Sequence, residues 1–153
     1  MTVSVTNAQR QAPVNPARIA SLARCALKRL RVGRRGVLAI TFIAGGRMRG
    51  LNRRFLRRDR PTDVLSFRYD GEPVLGEILI APSQARAYAT RHGVPYEAEL
   101  ARYVIHGLLH WVGDEDGTVR QQERMRRAED WLLAACARKA GPLLFSCSPS
   151  RGK

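Results

Sequence analysis

Apolar side chains recur along this chain with two different periods, and the changes between them mark out the elements. Residues 1–13 are polar and carry no pattern, which predicts a loose tail. From Pro16 to Val32 the positions Ile19, Leu22, Ala23, Ala26, Leu27 and Leu30 fall on one helical face, and Gly33 and Gly36 end the helix. Val37 to Ile43 is a short β-rich apolar run, the signature of a buried strand. Beyond Gly45 and Gly46, the spacing of Met48, Leu51, Asn52, Phe55 and Leu56 predicts a second helix that Pro61 stops. Asp63 to Phe67 and Val74 to Ile80 read as strands joined by the turn signal Asp70–Gly71–Glu72–Pro73, hence an antiparallel hairpin. Pro82 and Ser83 open a third helix running towards His92, and a fourth spans about 95–112 with Glu97 and Glu99 in its first turn. Thr118 followed by Gln121 is a capping-box pattern that opens a last helix through about Lys139.

The order is helix, strand, helix, strand, strand and three helices, with no internal repeat and no linker. That order predicts one α+β domain over 14–142, a small mixed β-sheet packed with about five helices. The stretch 143–153 reads as a flexible C-terminal tail.

Composition narrows the class. At 153 residues and 44% hydrophobic, the chain suffices for one domain with a real core. No apolar run reaches the roughly 20 residues that span a bilayer, and the first residues lack the apolar core of a secretory signal. A cytoplasmic protein with no membrane association is the expectation. Cys25, Cys136 and Cys147 form no CxxC pair, so reduced, mostly buried thiols are expected. The charge says more: 27 basic against 13 acidic residues leave +14. Arg47, Arg49, Arg53, Arg54, Arg57, Arg58 and Arg60 crowd into a short stretch offset only by Asp59. A surface of this kind attracts polyanions and points to nucleic acid as partner.

The chemistry concentrates between Tyr103 and Gly117. His106 and His110 are four residues apart, so a helix sets them on one face one turn from each other, where two imidazoles can share one ion. Gly113 can end the helix at positive φ and turn the chain back, which brings the Asp116 carboxylate within reach as a third ligand. Two histidines and a carboxylate leave a coordination position for water, the arrangement of a catalytic metal site. Zinc is the expected ion, with another divalent transition metal as the alternative. The zinc-protease helix carries HExxH, whose glutamate is the general base, but here that position is Gly107. Trp111, Leu108 and Leu109 read as core, and His92 as a solvated side chain near a turn.

These residues also carry a likeness. His106 to Asp116, HGLLHWVGDED, resembles the HGxLHLxGYDH signature of the YbeY family of endoribonucleases and rRNA maturation factors. Leu51–Asn52 with Pro61 to Phe67 is similar to that family's LN…PTDVLSF segment, and Leu75 to Ile78 to its LGDI strand. Met125 and Glu129 resemble its M…E pattern on the last helix, so that the likeness runs from about residue 38 to 135. It departs at two points. Asp116 stands where the family commonly has histidine, and Leu56 where it often has arginine.

The resemblance implies a metal-dependent RNase directed at single strands and acting in ribosomal RNA processing, notably at the 3′ end of 16S rRNA. It further implies partners on the small ribosomal subunit. On this reading Arg53, Arg54, Arg57, Arg58 and Arg60 bind RNA, and Arg57 and Arg58 also stabilise charge at the phosphodiester. The general base stays open among Asp114, Glu115, Asp63 and Glu77. Two alternatives are kept: a non-catalytic RNA-binding assembly factor with a structural metal, and a metallopeptidase, which Gly107 disfavours.

Overall fold

The computed structural model describes residues 1–55, 63–71 and 73–137. Arg57, Arg58 and Arg60 lie outside the described residues, as do Pro61, Cys147 and both the end of the domain expected at 142 and the tail 143–153. The elements are β1 (Thr2–Ala8), α1 (Pro16–Arg29), β2 (Val37–Ile43), α2 (Gly45–Phe55), β3 (Val64–Arg68), β4 (Val74–Ile80), α3 (Pro82–His92), α4 (Tyr96–Val112) and α5 (Val119–Cys136). Within them the α+β class, the mixed sheet and the five helices agree with the sequence pattern.

The start of the chain differs from expectation. Thr2–Ala8 is not a loose tail but a strand pairing in parallel with β2, Thr2 opposite Val37 and Ala8 opposite Ile43. Its signal is the alternation of Val3 and Val5 with polar neighbours; Val3 is buried. The polar residues that follow are held by Gln9. Its Oε1 accepts from the backbone amides of Gln11 (2.8 Å) and Ala12 (3.0 Å), and its Nε2 donates to the Ala12 carbonyl at 2.8 Å. Where the connection is buried its backbone groups need partners, and this one glutamine supplies them for the Gln11 amide and for both the amide and the carbonyl of Ala12.

The strand order is β1–β2–β4–β3, with β1, β2 and β4 parallel and β3 antiparallel at the edge. The expected β3–β4 hairpin is present, with Ser66 opposite Ile78 and Phe67 opposite Glu77. Alternation along these strands sorts the residues onto two faces. Leu38, Ile40, Phe42, Ile78 and Ile80 face the main core with α1 and α4, whereas Leu65, Leu79 and Phe67 face a smaller cluster with Met48 and Leu51 of α2.

Helix α4 is pressed onto the first face. Leu100, Val104, Ile105 and Leu108 are fully buried, each contributing roughly 1.5–3 kcal/mol by leaving water. Gly107 allows the close approach: a Cβ there would stand 2.6 Å from Ile78 Cγ2 and 2.9 Å from Val64 Cγ1. The Ser66 hydroxyl donates to the Gly107 carbonyl at 2.8 Å, fastening helix to sheet. Gly76 does the same for Trp111, whose Nε1 donates to the Leu75 carbonyl at 3.3 Å. Leu108, Leu109 and Trp111 are core residues, as expected.

The cysteine expectation is also corrected. Cys25 of α1 and Cys136 of α5 are joined in a disulfide across 111 positions. The two helices pack against each other on the core side of the sheet, so residues with no sequence pattern in common end up adjacent.

Candidate metal centre

Two helical turns at the end of α4 and the turn behind them build the centre. Rows i and i+4 of a helix lie one above the other, so His106 and His110 present their rings to the same side. Their Nε2 atoms are 3.0 Å apart. Gly113 then takes φ 113°, its amide bonding the His110 carbonyl and the next amide bonding that of Leu109, which closes the helix and reverses the chain. The reversal brings Asp116 Oδ2 to 3.3 Å from His110 Nε2 and 3.5 Å from His106 Nε2. Thr118 fixes the far side of the turn. Its hydroxyl accepts from the Gln121 amide at 3.1 Å while Gln121 Oε1 accepts from the Thr118 amide at 3.0 Å, the capping box read in the sequence.

These three atoms fit a metal ion. Ligands at 2.0–2.1 Å from a tetrahedral centre stand about 3.3–3.5 Å from one another, and here the separations are 3.0, 3.3 and 3.5 Å. Two imidazole nitrogens and a carboxylate oxygen are a donor set suited to zinc and its neighbours. His106, His110 and Asp116 could therefore hold one divalent ion.

The next shell fixes the donor of His106. Its Nδ1 lies 2.8 Å from Glu129 Oε2 on α5. A carboxylate only accepts, so Nδ1 carries the proton and Nε2 presents its lone pair. Glu129 Oε1 in turn accepts from Arg102 Nη1 at 2.9 Å, and Arg102 Nη2 donates to Asp130 at 2.7 Å. Burial alone would raise the pKa of Glu129, which is only 6% exposed. The hydrogen bonds from His106 and Arg102 outweigh it and hold the carboxyl below its ordinary value, so it stays ionised.

A cleft of about 550 Å³ opens beside this cluster, walled by residues that include Asp63, Arg102, Tyr103, His106, Asp116 and Arg126. Tyr103 donates to Asp63 Oδ2 at 3.0 Å. Burial, against the pull of that hydrogen bond and of His106, raises the pKa of Asp63, and burial beside Asp63 drives the Tyr103 hydroxyl far above its ordinary value. Tyr103 therefore remains a donor.

The other residues singled out in the sequence fall elsewhere. Asp114 and Glu115 are exposed on the outer side of the turn and line a separate small hollow with Gln121 and Arg124; Glu115 accepts from Gln121 at 3.2 Å. Glu77 shares its sheet face with Leu79, the face turned to α2, and accepts from Thr41 at 3.4 Å, so the sheet stands between it and the histidines. Arg53 and Arg54 are exposed on the last turn of α2. His92 is exposed and stacks on Tyr88. Sequence reasoning assigned no role to Arg102, Tyr103 or Glu129. Glu129 did leave a signal: it sits in the buried stripe Met125, Glu129, Leu132, Cys136, a carboxylate where an amphipathic helix should be apolar.

A sequence profile of the family described as Endoribonuclease YbeY matches residues 4–137. The Endoribonuclease YbeY of Pelotomaculum thermopropionicum is 32% identical over 145 residues, covering 87% of this chain and 95% of that one. That of Geobacillus kaustophilus is 33% identical over 110 residues, 63% of this chain and 70% of its own. The solution structure of a Thermotoga maritima protein shares the fold at a TM-score of 0.60 and 22% identity, covering 98% of this chain and 99% of that one. With the fold, the cluster of His106, His110 and Asp116 and the matched profile in agreement, this chain belongs to the Endoribonuclease YbeY family.

Proposed function

We propose that this chain is a metal-dependent endoribonuclease that cuts single-stranded RNA in ribosomal RNA processing, at the 3′ end of 16S rRNA. It works in the cytoplasm with the small ribosomal subunit as partner, and one zinc ion is its cofactor. The observation that carries the reading is the convergence of His106 Nε2, His110 Nε2 and Asp116 Oδ2, with His106 and Asp116 in the wall of an open cleft, in a chain of this family. The relatives are named endoribonucleases, and a charge of +14 suits a polyanionic substrate.

A zinc ion held by His106, His110 and Asp116 would supply water activation and a Lewis acid for a phosphoryl oxygen. The chain's own part is positioning and proton movement. Glu129 and Arg102 keep His106 in the tautomer that offers Nε2. Asp63, in the cleft wall with a raised pKa, is the carboxylate best placed to take a proton, with Tyr103 orienting it. Asp114 and Glu115, turned to the outer hollow, lose that role to it. Arg126 lines the same cleft and offers positive charge to a phosphodiester, and Arg53 and Arg54, exposed on the last turn of α2, keep their proposed part in RNA binding. Arg57, Arg58 and Arg60 keep their proposed part in RNA binding from the sequence alone.

A peptidase reading loses further ground. A glutamate at position 107 would drive into Ile78 and Val64, so this helix faces its sheet where a protease helix faces its substrate.

The test is cleavage of a single-stranded RNA oligonucleotide and its duplex by purified protein, first stripped with a chelator and then given Zn²⁺. Loss of cleavage on stripping, recovery on addition and preference for the single strand are expected. Undiminished cleavage by stripped protein contradicts the metal's role. Metal uptake without any cleavage favours the assembly-factor alternative.

A further inference from the structure

Helix α5 has a second face that the metal centre does not use. Met125, Glu129, Leu132 and Cys136 turn inward, while Val119, Gln122, Glu123 and Arg126 border the cleft. On the far side Arg120, Arg124, Arg127 and Trp131 follow one another at spacings of four, three and four, which on a 3.6-residue helix draws them into a single stripe. All four are exposed, and Trp131 is exposed by 51%, in contrast to Trp111 at 3%. Among the described residues none of the three arginines makes an ion pair.

We propose that this stripe is a track for single-stranded RNA, outside the cleft and continuous with it across Arg126. The proposal rests on the endoribonuclease reading for its choice of polymer. Three arginines spread over about 10 Å of helix suit successive phosphates. An indole left half in water is unfavourable unless something covers it, and a base stacking on its face is a sequence-tolerant cover. The same charge argues against a second copy of this chain as the occupant, because two faces each carrying three arginines, on chains of +14, repel.

Two variants separate the parts. For binding of a labelled twelve-residue oligouridylate to full-length protein, Arg120→Gln/Arg124→Gln/Arg127→Gln should lower the slope of log K against log salt by about 2, at roughly 0.7 per phosphate contact on a single strand. Trp131→Ala should weaken binding by roughly tenfold and leave the salt slope unchanged. Binding of the oligonucleotide should also quench the tryptophan emission of the wild type, and Trp131→Ala should lose that quenching while buried Trp111 still emits. Cleavage of a dinucleotide, too short to reach the stripe, should not change in either variant. If wild type cleaves RNA but both variants bind the oligonucleotide with its affinity and slope, the stripe is overturned and the nuclease reading stands. If wild type neither binds nor cleaves, both fall.

Discussion

The three residues that converge on one point come from two unlike regions. His106 and His110 ride on α4, whose neighbouring residues Ile105 and Leu108 are fully buried and whose backbone touches the sheet at Gly107. Asp116 sits in the turn between α4 and α5, where Asp114, Glu115 and Gly117 are exposed. The helical half is fixed by the core of the whole domain; the turn half is fixed by a glycine at one end and a capping box at the other. Rigid elements hold functional geometry more closely than loops do. The difference implies that damage to the backbone packing of the helical half costs the fold, whereas damage to the backbone supports of the turn costs chiefly the metal; loss of a ligand or of its carboxylate partner costs the metal in either half.

The sharpest break should come at Gly107. Gly107→Ala puts a methyl 2.6 Å from Ile78 and 2.9 Å from Val64. Overpacking of that kind destabilises by about 1–3 kcal/mol, and denaturant unfolding should place the loss at the upper end because the contact is a sheet against a helix backbone. A variant as stable as wild type would show that the approach is not tight.

Next comes Glu129, which links α5 to the helical half. Glu129→Gln should weaken zinc binding by about 10–100-fold, read by titration against a competing chelator, since a carboxylate that orients a ligating imidazole carries that much. It should also change the acid limb of stability in the metal-free protein. A carboxyl held below its ordinary value of 4.5 contributes stability above that pH and loses it as pH falls through the folded value. Unfolding free energy below pH 4.5 should therefore fall less steeply in Glu129→Gln than in wild type.

The turn half should respond more weakly and differently. Gly113→Ala forces a side chain to φ 113°, at a cost of about 1–2 kcal/mol. Thr118→Ala removes one cap, at about 1 kcal/mol. Both should lower zinc affinity by more than that stability loss alone explains, because Asp116 is the group they release. Equal effects on thermal unfolding and on zinc affinity would erase the distinction between the halves.

Much of this was legible in the sequence, for physical reasons that differ by element. Helical periodicity gave α1, and prolines, first-turn glutamates and a capping box gave α3, α4 and α5 nearly to their ends, while HxxxH with a glycine behind it pointed to the three residues that the fold brings together. The residues that stayed hidden depend on tertiary neighbours. Edge strand β1 shows only a two-valine alternation, Val3 and Val5, inside a polar stretch, and becomes a strand because β2 pairs with it. Cys25 and Cys136 share no motif and meet only through helix packing. The role of Arg102 arises from contacts 27 and 28 positions away in the chain, and those of Tyr103 and Asp63 from their mutual contact across 40. Glu77 and the pair Asp114 and Glu115 looked suitable by type and proximity, and the pleat of β4 and the direction of the turn removed them from the cleft.

The central claim is that His106, His110 and Asp116 together hold one ion. It is tested most directly by the zinc content, per folded chain, of wild type, His110→Ala and Asp116→Ala after equilibration with buffered Zn²⁺. Wild type should carry one ion; His110→Ala, folded by circular dichroism, should lose at least about a thousandfold in affinity, with Asp116→Ala less impaired. One tightly bound ion in folded His110→Ala would contradict the account.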